Sequence, residues 1–447
     1  MIRSLVRAGI VSGSVILVLA VGASTAGGGR TTDTTCDGKL SGSAPTYLSV
    51  WFHAGSGPER ATLRAQVKAF NAQQGPVRVR LIVLPQDDYA RQVASAAASN
   101  ELPDVLDFDG PYLYNFAWSG KIKPLDSCIP AALRADLLPS IRHQGTYAGR
   151  LWGVGTFDSG MALYVRPSIL RQAGIRMPTG PSDAWTVAEF NDILGRLRAA
   201  GYQRPLDVSI NFGVPPAEWD TYGFAPAVWS AGGDLIDRTS YRSASGLING
   251  PGAVKALTAF QRWQADGYID PNRDDAAFVS GRSPISWRGH WVFDQYTHAH
   301  PGDVALVPLP NFGHGTRTGM GSWQWGISAN ARDGDAAWRF ISFLLRRSEI
   351  RRITVANGAI PATRSAIAAS PRFAPGGPER LFVEQLERGV ARPRPQTPAY
   401  LAVSDAFARA FVAIVVHGRP VKPTLDLAAR RIARDLAAHD YYPPPPS

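Results

Sequence analysis

The 447-residue sequence predicts an α/β protein, and three observations carry that reading. Strand-like and helix-like segments alternate as β-α-β-α-β from residue 46. The second half returns to capped amphipathic helices. Hydrophobic residues at 45% and charged residues at 19% match ordinary globular usage, which excludes wholesale disorder and a polytopic membrane protein. Such alternation implies a parallel sheet with right-handed crossovers. At about 100 to 200 residues per domain the length predicts two or three domains.

Arg3 and Arg7 precede an uncharged run from Ala8 to Gly29, apolar at Ile10 to Val21 and then small at Gly22-Ala23-Ser24-Thr25-Ala26. This reads as a secretory signal peptide over 1–26, followed by a flexible segment over 27–43. The apolar heart is short for a span of about 20 residues, but the small residues extend the run, so an uncleaved N-terminal anchor stays open. No later segment approaches a membrane-spanning length, which places the rest of the chain outside the cytoplasm, in the periplasm or cell envelope. There Cys36 and Cys128, the only cysteines, suggest one disulfide. Two other readings stand: an acylated Cys36, although Asp33-Thr34-Thr35 lacks the small apolar run that lipoprotein processing requires, or two free thiols.

Tyr47 to Phe52 reads as a buried strand. Pro58 fits a first helical turn, and Leu63, Val67 and Phe70 recur at helical spacing, predicting a helix over 58–74. Gly75-Pro76 breaks it. Val77, Val79, Leu81 and Val83 alternate with Arg78 and Arg80 over a second strand; a helix over 87–99 and a strand from Asp104 to Phe108 follow. Ligands bind at the carboxyl ends of strands in such sheets, which nominates His53 and the Phe108-Asp109 pair. Further on, Thr186 and Glu189 form a capping box, with Trp185 and Phe190 as its hydrophobic staple and Ile193, Leu194 and Leu197 continuing the helix. Pro251 opens another helix with Val254, Leu257 and Trp263 on its face. Asp335 is expected to cap a third, carrying Trp338, Ile341 and Leu345 inward. Aromatic-rich loops are expected at 212–229, 287–296 and 319–326, and a frayed proline tail at 441–447.

The net charge of +11 is carried by Arg, since only six residues are Lys. A nucleic-acid partner needs those cations on one face, and they are dispersed along the chain; Arg346-Arg347, Arg351-Arg352 and Arg430-Arg431 sit at helical spacing beside acids, as on a solvated surface. The spacings of the nucleophile elbow, the phosphate loop, the zinc-protease helix, the paired-cysteine motif and the dinucleotide fingerprint are all absent. His298 and His300, with His290 and His314 nearby, have no acidic or Cys partner at diagnostic spacing, so no metal and no cofactor are expected. Asp87-Asp88, Asp107 with Asp109, and Asp274-Asp275 could serve a glycosidase, which needs two carboxyl groups about 5 to 10 Å apart.

Ser49-Val50-Trp51-Phe52-His53, Phe70-Asn71, Leu102-Pro103-Asp104-Val105 and Gly120 to Leu125 together resemble the start of an extracytoplasmic solute-binding protein, in the maltose-binding-like, sugar-binding branch of ABC importer components. Tyr147 to Val154, Leu163-Tyr164, Ile169 to Ile175, Gly289-His290-Trp291, Val307-Pro308-Leu309-Pro310, Gly321-Ser322-Trp323 and Asn357 to Pro361 continue it in order, over about 46 to 435. The resemblance implies a two-lobed periplasmic-binding-protein clamshell, each lobe a mostly parallel sheet flanked by helices. Lobe one would take 44–156 plus 315–355 and lobe two 157–314 plus 356–440, with crossovers near Phe157-Asp158 and just after Pro310. It also implies a monomer that is not an enzyme, binds a sugar or sugar-derived solute between the lobes and delivers it to ABC permease transmembrane subunits. A secreted carbohydrate-active enzyme using cleft carboxylates is the alternative, and a sensor lobe is a third reading.

Sugars need hydrogen-bond partners for hydroxyls and aromatic rings for their C–H faces. Carried over by position, Phe108 and Tyr112 flank the first strand-end loop with Asp109 as hydroxyl acceptor, Asp158 is a hinge carboxylate, and Trp291 is the stacking aromatic. Trp219 falls in an aromatic cleft segment, and His53, Trp323, Trp325 and Arg364 are further candidates. Each has a plainer reading: Asp109 as a helix cap, Trp291, Trp323 and Trp325 as packing, and Arg364 as a surface cap or pair. Trp51, Trp263 and Trp338 are expected in cores, and Trp118, Trp152 and Trp185 in structural roles.

Overall fold

The computed structural model describes residues 45–443 together with Cys36 and Leu40, except 74, 211–216, 273 and 322. The expected signal peptide and residues 444–447 of the tail lie outside the described residues. Strands Val77–Leu84, Thr46–His53, Val105–Asp109, Trp323–Ser328 and Ile122–Lys123 lie in that spatial order in a first sheet. The first three are parallel, as the alternation predicts, with Gly57–Ala72 and Gln86–Ser99 as the crossover helices. The first crossover helix opens on a capping box that the sequence reading passed over: Ser56 Oγ accepts from the Glu59 amide at 3.2 Å, and Glu59 accepts from the Ser56 amide at 3.4 Å.

A second sheet has the order Ala305–Val307, Met161–Val165, Ile285–Gly289, Leu206–Asp207. Here the expectation of mostly parallel pairing is corrected, because Met161–Val165 runs antiparallel to both neighbours and only Leu206–Asp207 pairs in parallel. The cause is where the chain enters. Met161 pairs with Gly289 and Trp323 with Asp109, so both strands begin at the edge where the neighbouring strands end. A segment arriving from the other sheet must therefore run against its new neighbours.

Each sheet has its own core. One gathers Leu48, Val50, Leu63, Val105, Leu137, Trp325, Ile327 and Ile341. The other gathers Leu163, Trp185, Phe190, Trp263, Trp287 and Phe411, with helices Glu218–Ser230, Pro251–Ala265, Tyr400–Val415 and Val421–Ala438 packed around it. Between them lie two pairs of short strands formed by crossing chain: Phe157–Asp158 with Ile360–Pro361, and Thr318–Met320 with Ala391–Pro393.

Thr186 and Glu189 do form a capping box, and the Trp185 and Phe190 rings stand 6.2 Å apart. The helix Gly334–Leu344 is capped by Asp333, which accepts from the Ala336 amide at 2.8 Å; Asp335 lies one position inside the first turn, so the expected cap is displaced by two residues. The expected loop at 212–229 is helical from Glu218 to Ser230. That helix is buried on nearly every side despite Pro226, so it leaves no amphipathic stripe in the sequence. The tail is held at its start: Trp118 Nε1 donates to the Pro443 carbonyl at 2.8 Å, and the Tyr442 hydroxyl donates to Asp435 at 2.8 Å. Cys36 and Cys128 are joined by a disulfide with their Cα atoms 4.9 Å apart.

Candidate binding cleft

The facing edges of the two sheets carry most of the candidate residues. On the first sheet, His53 ends its strand and is 2% exposed. Its Nδ1 lies 2.5 Å from Asp107 Oδ2, and Tyr89 donates to Asp107 Oδ1 at 2.8 Å. Burial pulls the His53 pKa down, but the charges of Asp107, Glu59 and Asp109 and the Asp107 hydrogen bond outweigh it and leave it raised. The Trp323 ring stacks on the imidazole at 3.5 Å, with Tyr89 edge-on. His53 is thus a buried support that orients Trp323. Phe108 is also buried, against Phe116 and Gly326; a Cβ at Gly326 would come within 2.7 Å of the Phe108 ring. A small recess opens between Tyr89, Phe108, Asp109, Tyr112 and Trp323 on one side and Leu401 of the other lobe's helix on the other.

Asp109 reaches across to a residue the sequence reading missed. Arg394, from the second crossing pair, is 5% exposed and forks onto Asp109 at 2.6 and 2.5 Å, then donates to Glu218 at 2.7 Å. Glu218 opens the buried helix of the second lobe and also accepts from Tyr400 and, at 2.5 Å, from Ser404. Burial raises the Glu218 pKa, and the Arg394 charge offsets part of that. Burial likewise raises Tyr112, whose ring meets Tyr400 at 6.1 Å. Both lobes are therefore joined through one guanidinium.

The second lobe contributes an aromatic floor. Trp291 stands 5.9 Å from Trp219 and 6.2 Å from Tyr222, and Arg288 lies 4.6 Å over Trp219 while paired to Asp275 at 2.7 Å. Trp291 folds back across Gly289: a Cβ there would sit 2.0 Å from its ring, so this turn requires glycine. Arg394 in turn lies 4.8 Å over Tyr222. The floor and the interlobe bridge thus meet at the Arg394–Tyr222 contact.

Three candidates stand apart from it. Trp325 is 4% exposed and stacks on Phe52 in the first core. Arg364 is exposed and donates to the carbonyls of Ala135 and Leu137. Asp158 is fully buried in the crossing pair, accepting from Gln144 and from the Ser159 and Gly321 amides, with its pKa raised by burial. Two of the histidines considered for metal are held by carbonyls: His290 Nδ1 meets that of Asn357, and His300 Nε2 that of Phe278.

Asp220 lies two residues after Glu218 in the first turn of the same helix, and its titration makes stability depend on pH. Burial, together with the Glu218 charge and against one bond from the Ala217 amide, raises its pKa to about 7. Its unfolded value is about 3.9, so the stability tied to its protonation is full below about pH 4 and lost as pH rises to about 7. Asp220→Asn is expected to gain melting temperature over the wild type steadily across that window and no further above it. Parallel melting curves of the two proteins would refute this.

Two α/β lobes joined by crossing strands, with an aromatic cleft between them, define a two-lobed binding protein. Residues 65–375 match the family described as bacterial extracellular solute-binding protein, and the chain belongs to that family. It is 23% identical over 375 residues to an uncharacterized lipoprotein from the oleD 5′ region of Streptomyces antibioticus, covering 76% of this chain and 78% of that one. Among solved structures it resembles the GacH receptor of Streptomyces glaucescens, studied unliganded and with acarbose, at 18% identity and a TM-score of 0.73, covering 89% of this chain and 98% of the receptor. It also resembles an ABC transporter solute-binding protein of Thermotoga lettingae bound with α-D-tagatose, at 19% identity and a TM-score of 0.74, covering 88% of this chain and all of that one. Among the described residues, no helix is long and apolar enough to cross a membrane.

Proposed function

We propose that the protein is the extracytoplasmic substrate-binding component of an ABC importer. It binds a sugar or sugar-derived solute between its lobes and passes it to the transmembrane permease subunits. The observation that carries this reading is the Trp219, Tyr222 and Trp291 cluster of the second lobe, which Arg394, lying over Tyr222, joins to Asp109 at the end of the first sheet's strand. Rings for C–H faces lie beside carboxylates and hydroxyls for sugar hydroxyls. Lobe one would comprise 44–156 plus 315–355 and lobe two 157–314 plus 356–440, although Ala362 and Ala366 pack in the first core. The protein acts as a monomer whose ligand shifts a hinge equilibrium by touching both lobes.

The test is a thermal-shift and calorimetric panel of mono-, di- and oligosaccharides with product analysis. The expected result is one-to-one binding with every sugar recovered unchanged. A cleaved or modified sugar would transfer the protein to the enzyme reading. Trp291→Ala is expected to weaken the best binder by about 1 kcal/mol or more, roughly fivefold or more in Kd, the loss of an aromatic anchor. Unchanged affinity at an unchanged melting temperature would remove Trp291 from the site.

A further inference from the structure

Beside the second crossing pair, two arginines share one carboxylate and a third directly precedes the neighbouring strand. Arg238 Nε and Arg392 Nη2 both reach Asp234 Oδ2, at 2.8 and 2.9 Å, while Asp234 Oδ1 is taken by Trp229 Nε1 at 3.0 Å and the Leu235 amide at 2.8 Å. Arg238 and Arg392 both lie over the Trp229 ring, at 5.3 and 5.8 Å. Arg317, at the start of the partner crossing strand, spends its Nη1 on the Thr316 carbonyl. Its charge nevertheless acts on Arg392, whose pKa is lowered first by burial and then by Arg238, with Asp234 opposing and Arg317 and Tyr241 as smaller influences. Three cations against one anion leave an uncompensated charge of about two at a partly buried place, where like charges repel more strongly than in water. Arg238 Nη2 is buried without a hydrogen-bond partner among the described residues, in a fold where such donors are almost always satisfied.

We propose that Arg238, Arg317 and Arg392 form an oxyanion site beside the hinge, taking a phosphate or sulfate group. Guanidinium forks match the geometry of such oxyanions, and a dianion would balance the excess charge. Because Arg392 lies within Ala391–Pro393 and Arg317 directly precedes the paired strand Thr318–Met320, a bound oxyanion ties together the two crossing strands and the second lobe. The oxyanion has two sources: a free inorganic ion, or the phosphate of a solute lying in the cleft.

The experiment titrates the mature protein, in phosphate-free buffer at constant ionic strength set with chloride, with inorganic phosphate and separately with glucose 6-phosphate. The proposal expects a saturable rise in melting temperature and a calorimetric isotherm, with affinity at least fivefold weaker in both Arg317→Gln and Arg392→Gln. Neither substitution touches Arg238, so Asp234 stays paired to it in both. If the solute is the source, glucose 6-phosphate binds more tightly than inorganic phosphate and Trp291→Ala weakens only the former. If the free ion is the source, Trp291→Ala changes neither. A rise that never saturates and is equal in the variants is general salt stabilisation and overturns the site, as does no response to either compound.

Discussion

Reduction of the Cys36–Cys128 bond is expected to lower the stability of the first lobe by about 4 to 5 kcal/mol, the chain-entropy cost released when a loop of this length is opened. The two cysteines are 92 residues apart, and the loop between them contains strands Thr46–His53, Val77–Leu84, Val105–Asp109 and Ile122–Lys123. Cys128 is itself buried in the first core, and Cys36 and Leu40 pack against that core. None of the second sheet lies inside the loop. Calorimetry with and without reductant should therefore split one transition into two, with only the lower moving, and Cys36→Ala/Cys128→Ala should reproduce the reduced trace. An unmoved transition would show that the bond constrains nothing. The mass of the exported protein should rise by two hydrogens on reduction, and an acyl adduct on Cys36 would exclude the bond altogether.

The local grammar of the fold was legible because it is written in neighbouring residues. A cap three residues from its partner, a staple around it and the alternation of Val77 and Val79 with Arg78 and Arg80 are all short-range patterns, and they placed the parallel core of the first sheet and the Val187–Ala199 helix. Strand direction in the second sheet was not, since it depends on which edge the chain enters after crossing. The helix from Glu218 was hidden for a different reason: burial on all sides removes the period that marks a surface helix. The ring-bearing candidates fall into two groups, Tyr112 with Trp323 around one recess and Trp219 with Trp291 in the second lobe, and each was visible because a large aromatic announces itself in sequence. Their polar partners do not. Glu218 and Arg394 are 176 residues apart and ordinary in sequence; only the prolines on either side of Arg394, which hold the segment extended and remove backbone donors, set it apart. Trp325 misled because two tryptophans two residues apart share a strand face, yet one lies at the strand's cleft end and the other within the core.

Arg394→Ala is expected to destabilise the protein by about 3 to 5 kcal/mol, the cost of stranding buried charge when one partner of a buried ion pair is removed. The arginine is 4% exposed at its side chain, with Asp109 at 15% and Glu218 at 22%, so water cannot replace it without opening the cleft. Its loss leaves two carboxylates facing each other across the lobes, and the repulsion favours separation of the lobes as well as unfolding. Small-angle scattering should therefore show a larger radius of gyration for the variant under conditions where it remains folded. Adding Asp109→Asn and Glu218→Gln to Arg394→Met should recover most of the lost stability, since a neutral trio has no charge to strand. A variant within about 1 kcal/mol of the wild type would mean that the bridge holds neither lobe. Recovery of stability without recovery of the compact shape would separate its two effects, because a neutral trio can fill the space but cannot draw Asp109 of one lobe toward Glu218 of the other.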